Sequence, residues 1–368
     1  DEARTFGMEA LFRQIGIYSH VGQLYEPVDS DTLIYYKEAK DGQILEEGIT
    51  EAGSMSSFIA AGTAYSTHGI PTIPFFIYYS MFGLQRIGDL IWAAGDLRCR
   101  GFLLGATAGR TTLAGEGLQH QDGHSHVLAL PVPNLIAYDA TFAYELAIII
   151  RDGIRRMYEE QESVFYYITV GNENYPMLAM PEGCEEGILR GMYKLRPSAQ
   201  EKLELKASLL GSGAILNEAL KAQDILANQF DVSADVWSVT SYKELRKDIL
   251  EVARWNMLNP GVKPREAYVT QCLKNEAGPV VAASDYMKLL PDALGQAIPQ
   301  RLVVLGTNGY GRSETRKALR EFFEVDARWI AFATLHGLYQ DGKIEEAVVK
   351  QAMKTLEIDP NKANPMTS

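Results

Sequence analysis

The chain has 368 residues, 46% of them apolar and 22% charged, which at roughly 100 to 200 residues per domain fits two domains with sizeable cores. Its formal net charge of -12 leaves no surplus of Lys and Arg to neutralise a phosphate backbone, so a nucleic-acid partner is not expected. Cys99, Cys184 and Cys272 are too few and too scattered for a disulfide framework or a CxxC metal pattern, which fits a reducing, cytoplasmic setting. The longest apolar runs, such as "FAYELAIII" at 142–150, are too short to cross a bilayer, and no membrane partner is expected. The chain opens on "DEARTFGMEALFRQ" without a methionine, and residues upstream are expected.

In chain order, "EAGSMSSFIAAGTAYSTHG" (51–69) reads as a helix rich in small residues, closed by His68 and Gly69. "PTIPFFIYYSMFG" (71–83) reads as a strand that runs into a helix at 84–98. "GFLLGAT" (101–107) is a short buried strand, 141–161 a helix and "SVFYYITV" (163–170) another strand. The polar stretch "YKLRPSAQEKLELK", 193–206, is the candidate linker. Beyond it the alternation resumes, with strands near 207–213, 234–241, 278–284 and 301–307, each followed by a helix, the last of these at 309–323. The end of the chain is helical over 325–357, with a tail, "NKANPMTS", expected to be loose. Strands alternating with helices predict an α/β protein of two tandem domains, each a mainly parallel sheet flanked by helices, over 1–195 and 206–368.

Three features invite a chemical reading. The glycine turns "LLGSGA" (209–214) and "GTNGYG" (306–311) lack the full GxGxxG pattern and the GK[ST] ending, and read as tight strand-to-helix turns rather than nucleotide loops. "GEGLQHQDGHSH" (115–126) gathers Glu116, His120, Asp122, His124 and His126. It can be read as a metal site using His124 and His126, as solvated loop polarity, or as a catalytic loop, since imidazole is suited to proton transfer near neutral pH. No HExxH helix or partner cysteine supports the metal reading, and no metal ligands are assigned. Glu51, at the start of an apolar helix, either complements the helix dipole, worth about 0.3 to 1 kcal/mol, or is a partly buried carboxyl able to share a proton with a ring nitrogen.

A glutamate opening a small-residue helix that ends in HG, then an aromatic segment, then a strand leading to "GEGLQH", resembles the pyrimidine-binding domain of transketolase-type thiamine diphosphate enzymes. The longer stretches "IPFFIYYSMFGLQRIGDLIWAAGD", "GRTTLAGEGLQHQDGHSH", "NENYPMLAMPEG", "ARWNMLNP" and "VLGTNGYGRSETR" narrow this. They resemble the homodimeric bacterial pyruvate dehydrogenases, the decarboxylating first component of a multienzyme complex, through nearly the whole chain. The resemblance implies a pyrimidine domain followed by a transketolase-type C-terminal domain. It implies that Glu51 bonds the aminopyrimidine ring nitrogen of thiamine diphosphate and Phe82 stacks on that ring. Tyr79 and His120 would lie near the thiazolium and the 2-oxo acid, with Glu2, and less directly Asp1, bordering the pocket. The implied reaction decarboxylates pyruvate, with the cofactor as electron sink, and reductively acetylates the lipoyl domain of a dihydrolipoamide acetyltransferase. A homodimer is implied as well.

The family pattern also holds magnesium and the diphosphate with a GDG followed by NN, and no GDG occurs here. The expectation is therefore a chain that lacks the diphosphate and magnesium domain and is inactive alone. Two alternatives stay open. A related enzyme could act on 2-oxobutyrate, since one methylene is worth only about 1 to 3 kcal/mol of discrimination. A non-catalytic dimerising or metal-binding module is the other, against which the pair Glu51 and Phe82 argues.

Overall fold

Alternating strands and helices build two large sheets, besides a short two-stranded pairing of Ile17–Tyr18 with Glu38–Ala39, in the computed structural model, which describes residues 10–28, 37–113 and 116–368. The first sheet contains β1 (Phe75–Tyr79), β2 (Phe102–Ala106), β3 (Leu135–Asp139) and β4 (Phe165–Thr169), all parallel, in the order β1-β2-β4-β3. The second contains β5 (Met192–Arg196), β6 (Leu205–Gly211), β7 (Val232–Val239), β8 (Val280–Ala283) and β9 (Leu302–Leu305). Its order is β9-β8-β6-β7-β5, parallel except for the edge strand β5. The central strands β4 and β8 are buried along their whole length, which is why they read as continuous apolar runs rather than as alternating ones.

Helix α1 (Glu51–Thr67) begins where the Thr50 hydroxyl accepts the Gly53 N–H at 3.3 Å, satisfying one of the free donors of the first turn. It stops at His68, and Gly69 follows in the left-handed region. Its small residues let it lie close to the start of β2: a side chain at Gly62 would run into the Arg100 carbonyl. Helix α2 (Leu84–Asp96) follows β1 after a tight turn at Ser80–Phe82, and the short α3 (Ser125–Ala129) follows the histidine loop.

Three expectations need correction. The segment 193–206 is not a linker throughout, because β5 lies at its start. Met192, Tyr193 and Leu195 are buried, while Lys194 pairs with Asp235 at 2.6 Å and Glu276 at 2.9 Å, so its polarity reflects an edge strand with long-range partners. The helix expected over 309–323 begins only at Arg316, leaving 306–315 as a loop. The tail is held: Lys362 Nζ donates to the Phe322 carbonyl at 2.6 Å and pairs with Glu324 at 3.2 Å. Strand β3, inside "PVPNLIAYDA" between the histidine loop and the helix at 141–161, has no counterpart in the sequence reading.

The two sheets share one core. A continuous buried cluster runs from Phe102 and Ile136 through Ile188, Leu209 and Ile215 to Ile330 and Leu335. Glu145, at the start of α4 (Ala143–Ile154), joins the halves: it accepts from Thr141 N–H at 2.6 Å and Phe142 N–H at 3.0 Å on one side, and from Tyr193 and Ser238 hydroxyls, both at 2.7 Å, on the other. Burial pushes its carboxyl above the usual range, and these four donors pull it back. Lys243, from α5 (Tyr242–Leu258), reaches across to the carbonyls of Ala129 (2.7 Å) and Val132 (2.5 Å), satisfying the end of α3.

Candidate active site

Four sequence-predicted residues come together at one edge of the first sheet. Tyr79 ends β1, Phe82 lies in the turn after it, and His120 closes the short 3-10 turn Leu118–His120 after β2. The His120 ring centroid lies 4.8 Å from that of Tyr79 and 5.0 Å from that of Phe82, and the two aromatic rings are 6.1 Å apart. His120 Nδ1 lies 3.3 Å from the Gly117 carbonyl. All three rings are half-buried, so the cluster is open to a ligand. Glu51 is connected to it through Arg86 in the first turn of α2. The guanidinium carbon sits 4.2 Å over the Phe82 ring, and Nη1 donates to Glu51 Oε1 at 3.0 Å. Arg86 is 52% exposed and Glu51 17% exposed, so this ion pair contributes little stability and Arg86 is free to swing out. Glu2, with Asp1, lies outside the described residues.

The three histidines of the loop diverge. His120 faces the rings. His124 is half-buried, with Nε2 against Gln85 Oε1 and Nδ1 3.4 Å from Arg110 Nη2, and burial pulls its imidazole down. His126 is fully buried, with Nε2 2.9 Å from the Thr169 hydroxyl, and burial pulls it down to about 4, so it is neutral. Asp122 folds this stretch by accepting the His124 and Ser125 N–H groups, both at 2.9 Å, and the Ser125 hydroxyl. Among the described residues, no three His, Cys, Asp or Glu side chains are placed to hold a metal ion.

A second polar region lies where the C-terminal ends of both sheets face each other, the crevice in which open α/β sheets bind ligands. Here it is nearly closed. A cavity of about 20 Å³, room for about one water, is lined by Asp139, Thr169, Tyr175, Gly213, Asp285 and neighbours. Thr169 donates to Asp139 Oδ1 at 2.7 Å, while Asp139 Oδ2 is shut off from solvent without a partner among the described residues. Burial pushes the Asp139 carboxyl up to about 7, against the pull of the Thr169 hydrogen bond and the nearby Ser212 hydroxyl. Asp285 is fixed by the Thr111 N–H (2.8 Å), the Thr111 hydroxyl (2.8 Å) and the Thr112 hydroxyl (2.6 Å).

Sequence reading missed Arg86, Arg110, Asp139 and Asp285. Arg86 had one usable signal, its place four residues after Phe82 across a turn-to-helix start. The others are defined by contacts between distant segments and had none.

The sequence model of the pyruvate dehydrogenase E1 component middle domain matches residues 1–177, and that of the transketolase-like C-terminal domain matches 191–326. The pyruvate dehydrogenase E1 component of Pseudomonas aeruginosa is 60% identical over 367 residues, covering 100% of this chain and 42% of that protein. That of Escherichia coli K12 is 55% identical over 367 residues, covering 99% of this chain and 41% of that protein. The chain thus spans about two-fifths of the length of the curated relatives it matches. Among solved structures, a split-gene transketolase described as an inactive beta4 tetramer superposes with a TM-score of 0.60 at 17% identity, over 92% of this chain and 97% of that one. Transketolase from Leishmania mexicana gives 0.61 at 17% identity, over 92% and 45%. These two likenesses speak for the fold. No described helix is long and apolar enough to cross a membrane. By its two domain matches and its relatives, the chain belongs to the pyruvate dehydrogenase E1 component family, in the part made of the middle and C-terminal domains.

Proposed function

We propose that this chain supplies the pyrimidine-side wall of the active site in a thiamine diphosphate-dependent pyruvate dehydrogenase. The observation that carries the reading is the place of Arg86. A flat group bearing N–H donors lies over the Phe82 ring and at the same time donates to the Glu51 carboxylate. An aminopyrimidine is such a group, so Phe82 and Glu51 fit it by the same two contacts once Arg86 has moved into solvent. Bound thiamine diphosphate supplies the electron sink that lets a 2-oxo acid lose carbon dioxide.

The chain's own residues then have separate tasks. Glu51, with its side chain largely out of solvent, holds a proton shared with a ring nitrogen at hydrogen-bond distance. Tyr79 and Phe82 wedge the imidazole of His120. With Nδ1 turned to the Gly117 carbonyl, Nε2 has no hydrogen-bond partner among the described residues and is placed to orient the 2-oxo acid or carry its proton. For Glu2, outside the described residues, a role beside this pocket is what the family resemblance implies. On this reading the diphosphate and its magnesium are held outside these 368 residues. We place the division between pyrimidine domain and C-terminal domain at Gly191, in the left-handed region just before β5, rather than in the polar stretch after it.

The test is turnover by the full-length protein with thiamine diphosphate and magnesium, offered pyruvate or 2-oxobutyrate, read as reductive acetylation of a lipoyl domain. Pyruvate is expected to be preferred, and the 368-residue chain alone to be inactive. Turnover by this chain alone, or none by the full-length protein, contradicts the reading.

A further inference from the structure

Resting on that reading, we propose that the loop 306–312 of the second domain is the positioning element for His120, acting through Gln121. The loop leaves the C-terminal end of β9 and lies against the histidine loop at two places and against Arg110, just before it, at a third. The Arg312 N–H donates to Gln121 Oε1 at 2.8 Å. Gln121, itself buried, passes the contact on by donating from Nε2 to the Leu113 carbonyl at 3.4 Å. Gly311 lies flat against the turn that carries His120: a Cβ there would collide with the Leu118 carbonyl and stand 2.7 Å from Gln121 Oε1. The Gly309 carbonyl accepts from Arg110 Nη1, and Arg110 Nη2 lies 3.4 Å from His124 Nδ1, whose other nitrogen meets Gln85 at the start of α2.

One backbone loop, nearly 200 positions away in sequence, therefore touches both segments that build the ring cluster. It reaches the His120 turn through Gln121 and the Phe82 segment through Arg110, His124 and Gln85. Gly123 leaves room for this, since a Cβ there would stand 2.5 Å from Arg110 Nε and Nη2. On the way to His120 the contacts are backbone groups and the buried side chains of Gln121 and Arg110, which hold position with little freedom, while His124 is half-buried and Gln85 exposed. A shift of about 1 Å at a reacting group can cost up to 100-fold in rate. The second domain thus has a task in this site beyond sharing a core with the first, and His124 acts as a strut between the two segments.

The experiment uses the full-length enzyme and a double-mutant cycle with His120. Gly311→Ala, a single methyl on the second domain, is expected to lower kcat for pyruvate about tenfold with KM within about twofold. In a His120→Ala background it is expected to lower the remaining kcat by less than about twofold, because the residue it positions is gone. Gln121→Leu repeats the test from the first-domain side and carries it should the Gly311 variant not fold. Equal losses in both backgrounds, or no loss from either variant, overturn the proposal. Glu51→Gln separates the two levels: if it leaves turnover intact, the functional reading fails, whereas if it abolishes turnover while Gly311→Ala is silent, only the positioning role fails.

Discussion

The ring cluster and the strand-end crevice are made from the same material, loops leaving parallel strands, yet they are opposite in character. Tyr79, Phe82, His120 and Glu51 are half-buried and face outward, with an arginine that can leave. Thr169 and Asp285 are closed off between the two sheets around a cavity of about 20 Å³. His120 and His126 stand six positions apart on one loop and take one role in each region. The difference teaches that the presence of ionisable groups does not identify a site. Asp139 and His126 are both shifted by burial, and they line a joint between domains, whereas the proposed catalytic groups are those left accessible.

The comparison breaks most visibly on the open side. His120→Ala in the full-length enzyme is expected to lower kcat for pyruvate about 100-fold or more, the range for a lost proton-transfer group, with the melting temperature little changed. Phe82→Ala is expected to weaken thiamine diphosphate binding about tenfold by titration calorimetry, since a stacking face of this kind is worth about 1 kcal/mol or somewhat more.

On the closed side the signs reverse, with stability lost and activity kept. Thr169→Val leaves His126 Nε2 and Asp139 Oδ1 without the hydroxyl that joins them, and is expected to cost about 1 to 3 kcal/mol, read as a melting temperature lowered by a few degrees with kcat within twofold. A finer test uses pH. The Asp139 carboxyl is raised from 3.8 to about 7, so the stability it contributes is present below pH 3.8 and lost as pH rises through 7. The His126 imidazole is lowered from 6.5 to about 4, so its contribution is present above pH 6.5 and lost as pH falls through 4. The two slopes oppose each other over much of the same window. Asp139→Asn removes one, and stability is then expected to rise between pH 4 and 6.5 by up to about 1 kcal/mol per pH unit more steeply than in the parent protein.

Much of the fold was legible because it follows from local pattern. The helix over 51–67, the strand-turn-helix at 75–96 and the alternation after β6 rest on apolar runs, small residues and glycine stops. Strand β5 was not legible, since Lys194 and Arg196 look like loop residues until Asp235, Glu276 and Gln223 arrive from elsewhere in the chain. The same division runs through the site. Glu51, Tyr79, Phe82 and His120 stand in motifs that resemble a family, although Glu51 taken by composition read as a dipole complement. Arg110, Asp139 and the loop 306–312 owe their places to tertiary contacts, and "GTNGYG" looked like an ordinary turn because its partner, the His120 turn, is far away in sequence.

The central claim is that Glu51 and the ring cluster form the working wall of a pyruvate-decarboxylating site, and pyruvate turnover by full-length Glu51→Gln tests it most directly. Glutamine keeps the size and the contact to Arg86 and removes the shared proton. The account predicts a loss of kcat of about 100-fold or more in a folded protein, whereas a variant within twofold of the parent contradicts it.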